Sequence, residues 1–157
     1  MPDLNQKQAL FRSASATIYL CNSLRSILYA LQGFPAPNFF RLVIGAGMIV
    51  INMAMVFVYT GRPPMAMTYV EQVKFPVIPG VLGEGETLFT YKGRCVVDGI
   101  TIFCLWVFMG SHFLGFVTAA LLGAATAFKT MQPDLFTELF RETGDGGGNY
   151  QSVDNMI

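Results

Sequence analysis

Polar and apolar positions along this chain fall into long blocks, not into the short alternations of a soluble domain. The longest block runs from Gly99 to Phe128, thirty residues without a charged side chain. As one helix rising 1.5 Å per residue it would measure about 45 Å, against a hydrocarbon core of roughly 30 Å. Gly110-Ser111-His112 interrupts the run near its middle. A tight turn there predicts helices over about 94–109 and 113–129, each at the lower end of spanning length, which modest bilayer thinning accommodates. One very long, tilted helix is the alternative.

A second block, residues 39–60, predicts a single span. Arg41 stands at its start and Arg62 just past its end, with twenty uncharged residues between them, the length a spanning helix needs. Gly33, Pro35 and Pro37 precede it, and Gly61-Arg62-Pro63-Pro64 stops it. The segment before it, 13–32, is apolar but carries Arg25. Its polar residues, Ser15, Asn22, Ser26 or Arg25, Tyr29 and Gln32, recur at three- and four-residue spacing and so share one helical face. Either this helix spans with its polar stripe turned toward its neighbours, or it lies in the interface and only three helices cross. A centrally placed Arg costs an estimated 2.5–3.5 kcal/mol on insertion scales, tolerable if it snorkels or finds a carboxylate.

Residues 62–92 form a mixed connector with four prolines and three glycines. Its middle, Met65 to Val73, predicts a short amphipathic helix, and Lys74 to Gly80 reads as extended chain. After Lys129, Pro133 opens a short helix over Asp134–Glu142, with Leu135, Phe136, Leu139 and Phe140 on one face. This is the pattern of a helix lying on a surface. The glycine-rich end of the tail, Gly144 to Gly148, predicts mobile chain to residue 157.

Charge placement chooses between these divisions. With four spans, Lys7, Arg12, Arg62, Lys74, Lys92, Arg94, Lys129 and Arg141 share one side, and Arg41 stands alone on the other. With three spans, Lys129 and Arg141 join Arg41. The positive-inside rule prefers four spans with both termini inside. The expected fold class is therefore all-α, a polytopic membrane protein of four transmembrane helices in one domain, residues 1–132, followed by a tail, 133–157.

Composition agrees. The chain is 53% hydrophobic and 13% charged, against about 25% charged in average globular chains, and its mean hydropathy is +0.48. Ten basic and ten acidic residues balance to zero, so nothing indicates nucleic acid. Cys21, Cys95 and Cys104 are odd in number and scattered, the pattern of buried reduced thiols and not of a metal site or disulfide framework. There is no glycosylation sequon, and the first residues lack the basic-then-apolar order of a cleavable signal.

Little of this is catalytic. A lone histidine, His112, excludes a bis-histidine haem within the chain and makes no triad. No cofactor and no metal are expected. Asp98 is the acidic residue bordering the long apolar run. Arg94, four residues earlier on the same face, is its nearest partner, with Arg25 across a helix interface the alternative and proton carriage a third reading. Gly115, Ala119, Gly123 and Ala127 repeat at intervals of four, a small-residue line that suits close helix packing. Gly45 and Gly47 extend this set, and Tyr150-Gln-Ser-Val153 fits the loose tyrosine-x-x-apolar pattern of cytosolic sorting signals.

Phe40-Arg-Leu in an apolar helix, a proline-containing connector, and Tyr91-Lys-Gly-Arg94 opening a hairpin together resemble the COPI-associated, Golgi-vesicle tetraspan family over about residues 39–129. Gly93 and Arg94 would match that family's aromatic-x-Gly-Arg opening of the third span. Cys95-Val-Val stands where the family favours another glycine and aromatics, and the connector is richer in glycine and charge. The resemblance implies a non-enzymatic integral protein of Golgi or vesicle membranes; the charge placement would put both termini on the cytosolic side there, or on the matrix side of a mitochondrial inner membrane. The rival expectation is an accessory subunit of a multisubunit organellar complex, such as a respiratory or ATP synthase complex of the mitochondrial inner membrane, suggested by the acid-poor, Ser/Arg-containing first helix. Either way the expected partners are membrane lipids and other membrane-protein subunits. A channel or transporter has less support, since no inverted repeat or broken helix pair is apparent.

Overall fold

The computed structural model describes residues 4–34 and 38–140, and among these the fold is all-helical. Six helices follow in chain order: α1 Leu4–Leu31, α2 Phe39–Thr60, α3 Pro64–Gln72, α4 Tyr91–Val107, α5 His112–Met131 and α6 Pro133–Leu139. By length and composition, α2 and α5 are apolar enough to cross a membrane.

Local chemistry sets most of the boundaries. The Asn38 side chain accepts from the Arg41 N–H at the start of α2, and Gly61 ends that helix at φ 64°, in the left-handed region that favours glycine. The Thr90 hydroxyl caps α4 by accepting from the Gly93 N–H. The thirty-residue apolar run is broken where Gly110 adopts φ 59°, so that α4 stops at Val107 and α5 starts at His112. The long-helix alternative is thereby set aside. The N-terminal helix begins at Leu4, well before Ser13. No Gly or Pro interrupts the sequence between Leu4 and Gly33, and Phe11 is buried in the core, so packing extends the helix.

The four long helices run up, down, up and down. Tyr19 stacks on Tyr59 with ring centroids 5.9 Å apart, and Gly45 lies against Ala30, which makes α1 and α2 antiparallel. A Cβ at Gly45 would approach that of Ala30 to 2.6 Å, so glycine is what lets the two backbones close. Tyr19 meets Asp98 and Ser26 meets Met109, so α1 and α4 are parallel. Phe11 packs on Phe128 and Asn22 on Thr118, so α5 returns antiparallel to α1. One end of the bundle therefore gathers Phe11, Tyr59, Arg94 and Phe128, and the other gathers Arg25, Met109 and Ser111.

The connector folds back on itself through isolated antiparallel bridges at Lys74–Thr87 and Ile78–Leu82, with Gly80 and Gly85 both at φ 81°. Helix α6 does not lie free as an amphipathic surface helix. Leu135, Phe136 and Phe140 are buried against the bundle end, and the Phe136 and Phe140 rings sit 5.3 and 5.7 Å from Tyr91. The expected extension of this helix past Phe140, the glycine-rich stretch and the Tyr150–Val153 motif all lie outside the described residues.

Polarity is reversed across α1. Ser15, Tyr19, Asn22, Ser23 and Ser26 are buried, while Leu20, Leu24, Leu28 and Leu31 are exposed. Helix α4 repeats the arrangement, with Arg94, Asp98 and Thr101 buried and Ile100, Phe103 and Val107 exposed.

Candidate functional site

Arg94 and Asp98 sit one turn apart on α4, and both are 0% exposed. Their position follows from the start of that helix. Gly93 has no side chain, and a Cβ there would collide with the Thr87 carbonyl, so glycine lets the first turn of α4 lie directly against the connector. The next residue, Arg94, then enters the bundle, and the i,i+4 relation brings Asp98 onto the same face. Arg94 Nε donates to Asp98 Oδ2 at 3.2 Å. The other carboxylate oxygen, Oδ1, accepts from the Tyr19 hydroxyl of α1. One carboxylate thus links two helices.

Four aromatic rings enclose the guanidinium. Its carbon lies 4.7 Å from the Tyr59 ring centre, 5.2 Å from Phe11, 5.5 Å from Phe140 and 5.9 Å from Tyr19. The wall is built from α1, α2 and the end of α6. Cation–π attraction of this kind strengthens when desolvated, reaching about 2 kcal/mol or more. It substitutes for acceptors at Nη1 and Nη2, which have no hydrogen-bond partner among the described residues. The arrangement fixes register: three elements must be in place before the cation is shielded.

Above this cluster the polar stripe of α1 continues. The Asn22 amide donates to the Thr118 hydroxyl at 3.0 Å, and Thr118 in turn donates to the Leu114 carbonyl at 2.8 Å. At the far end, Arg25 donates through Nε to the Ser111 hydroxyl and through an Nη to the Met109 carbonyl, tying α1 to the α4–α5 turn. Arg25 was an alternative partner for Asp98, and the structure keeps the two apart. Six residues of helix separate Arg25 from Tyr19, a rise of about 9 Å and a turn to a different face. Arg94 is the partner of Asp98.

The small-residue line divides. Gly115 is buried against the Trp106 indole, which a Cβ would strike. Ala119 and Ala127 are half-buried, and Gly123 is exposed with open space around it. A strict four-residue repeat advances 400° per step on a helix of 3.6 residues per turn, so it drifts about 40° each time. Over three steps it leaves the inward face. The face of α5 that packs inside the chain is Gly115, Thr118, Leu121 and Ala125, at spacings of three, three and four residues. His112 is exposed, with its ring 6.3 Å from that of Trp106.

Tyr19 and the aromatic cage went unread in the sequence. The signal for Tyr19 is there: Ser15, Tyr19, Asn22, Ser26 and Tyr29 complete one three-four alternation. Phe11, Tyr59 and Phe140 come from three separate segments, which only the fold unites. Among the described residues no cluster of three or more His, Cys, Asp or Glu side chains could hold a metal. No family model, curated protein or solved structure matches this chain.

Proposed function

We propose that this chain is a four-span integral membrane protein that acts by helix packing and partner binding, not by catalysis. The observation that carries this reading is the reversed polarity of α1 and α4. In water, a helix burying Ser15, Asn22 and Ser26 while exposing Leu20, Leu24 and Leu28 would give up the hydrophobic effect on one face and desolvate hydroxyls on the other. In lipid the same layout is the favourable one, because the outer face meets hydrocarbon and the polar groups find one another inside. The up-down-up-down order gives each long helix one crossing. Lys7, Arg12, Lys92 and Lys129 then belong to the Arg94 end, which is the inner, positively charged side.

The exposed apolar faces meet lipid, and Gly123, open on α5, lies on a face available to another membrane subunit. Placement in Golgi or vesicle membranes rests on the tetraspan resemblance around Tyr91–Arg94. Fractionation of a tagged copy tests both levels. Resistance to alkaline extraction together with Golgi-vesicle co-fractionation is the expected result. Release by alkali would overturn membrane insertion, and co-migration with a large mitochondrial complex on native gels would replace the Golgi placement with the accessory-subunit one.

A further inference from the structure

We propose that α6 is a lid over an oxyanion site, and that Arg94 takes a phosphate group when the lid is lifted. Asp98 engages Arg94 through Nε alone. Nη1 and Nη2, the pair of a guanidinium suited to grip two oxygens of a phosphate, are fully buried and unpartnered among the described residues. One wall of their enclosure is the Phe140 ring, 5.5 Å from the guanidinium carbon. That wall comes from the shortest of the three elements. Phe11, Tyr19 and Tyr59 belong to helices of 28 and 22 residues, whereas Phe140 ends a helix of 7 residues joined to α5 by Gln132 alone.

With α6 seated, aromatic faces screen the cation. With α6 displaced, one side of the cage opens at the basic end of the bundle, on the side of Lys129. Lys129 already approaches the ring of Tyr91, the residue on which Phe136 and Phe140 pack. A phosphate arriving there meets the Nη pair, which has no hydrogen-bond partner among the described residues, with Lys129 at the rim; Lys92, on the opposite face of α4, pairs with Glu86 at 3.9 Å. The chemistry fits a phosphomonoester or phosphodiester, and the four-span reading, on which only the source of the ligand depends, places the site at the depth of lipid headgroups.

The test uses the full chain reconstituted in nanodiscs of phosphatidylcholine, with or without phosphatidic acid, and separately with inorganic phosphate. Phe140→Ala opens the cage. Phe140→Leu keeps apolar bulk but removes the ring face, and serves if the alanine variant fails to fold. Phosphatidic acid retention should rise roughly tenfold in the opened variant relative to the original chain. It should fall back when Arg94→Lys, which keeps the charge but loses the paired nitrogens, is added. A rise in thermal midpoint with inorganic phosphate alone would support the site and assign it to a free anion. Equal retention and equal midpoints with and without Phe140 or Arg94 would overturn the proposal, whatever the outcome of the alkaline-extraction test of membrane insertion.

Discussion

The two ends of the bundle each hold an arginine and use it in opposite ways. At one end Arg94 is fully enclosed, with one carboxylate and four rings drawn from α1, α2, α4 and α6. At the other end Arg25 is half-buried and donates to a hydroxyl and a carbonyl of the α4–α5 turn, with no carboxylate among its described partners. The difference follows from access to water. A part-exposed guanidinium keeps some hydration and needs only local acceptors, whereas an enclosed one loses all of it and must be compensated by geometry. The Arg94 end therefore demands that four elements assemble together, and the Arg25 end fastens one turn.

Breaking the Arg94 end should have the largest effect. Asp98→Asn leaves Arg94 enclosed without a counter-charge, and loss of one partner of a buried pair costs about 3–5 kcal/mol. Denaturant titration of the purified protein in detergent should show that loss, and unchanged stability would contradict the role given to the pair. Tyr19→Phe keeps the ring that stacks on Tyr59 but removes the hydroxyl that donates to Asp98. A hydrogen bond to a charged group is worth about 1.5–3 kcal/mol. The same titration should place this variant between the original chain and Asp98→Asn.

The Arg25 end should respond less. Arg25→Gln removes donors to the turn, and water reaching a half-buried site offsets part of the loss, leaving about 1 kcal/mol. A larger cost than that of Tyr19→Phe would reverse the comparison. Smallest of all should be Gly123→Ala, where a Cβ meets nothing inside the chain, giving a change within about 0.5 kcal/mol for the isolated protein. If that variant keeps its stability but loses partner subunits on affinity purification, the open face of α5 is an assembly surface.

The helices were legible where local signals act alone. Gly61 and Gly110 end α2 and break the long apolar run through their own backbone conformations. The Arg94–Asp98 relation was readable because four residues on one helix fix proximity. What escaped depends on contacts between distant segments. Phe140 reaches Arg94 only because α6 folds back over the bundle end, and a short amphipathic stretch reads identically whether it rests on lipid or on protein. The small-residue line shows a related limit: of its four residues, Gly115 alone lies on the face of α5 buried inside the chain. A four-residue count follows the chain, and the packed face of α5 follows the 3.6-residue turn instead.

The central claim is that α4 and α5 cross the membrane as a hairpin, with the Arg94 end on one side and the Ser111 end on the other. In a chain whose Cys21, Cys95 and Cys104 are replaced by alanine, single cysteines introduced as Phe113→Cys and Met65→Cys report on the two ends. Both positions are well exposed, at 77% and 75%. In sealed vesicles of one orientation, a membrane-impermeant maleimide should label one of the two before permeabilisation and the other only after it. Labelling of both from the same side would contradict the four-span bundle.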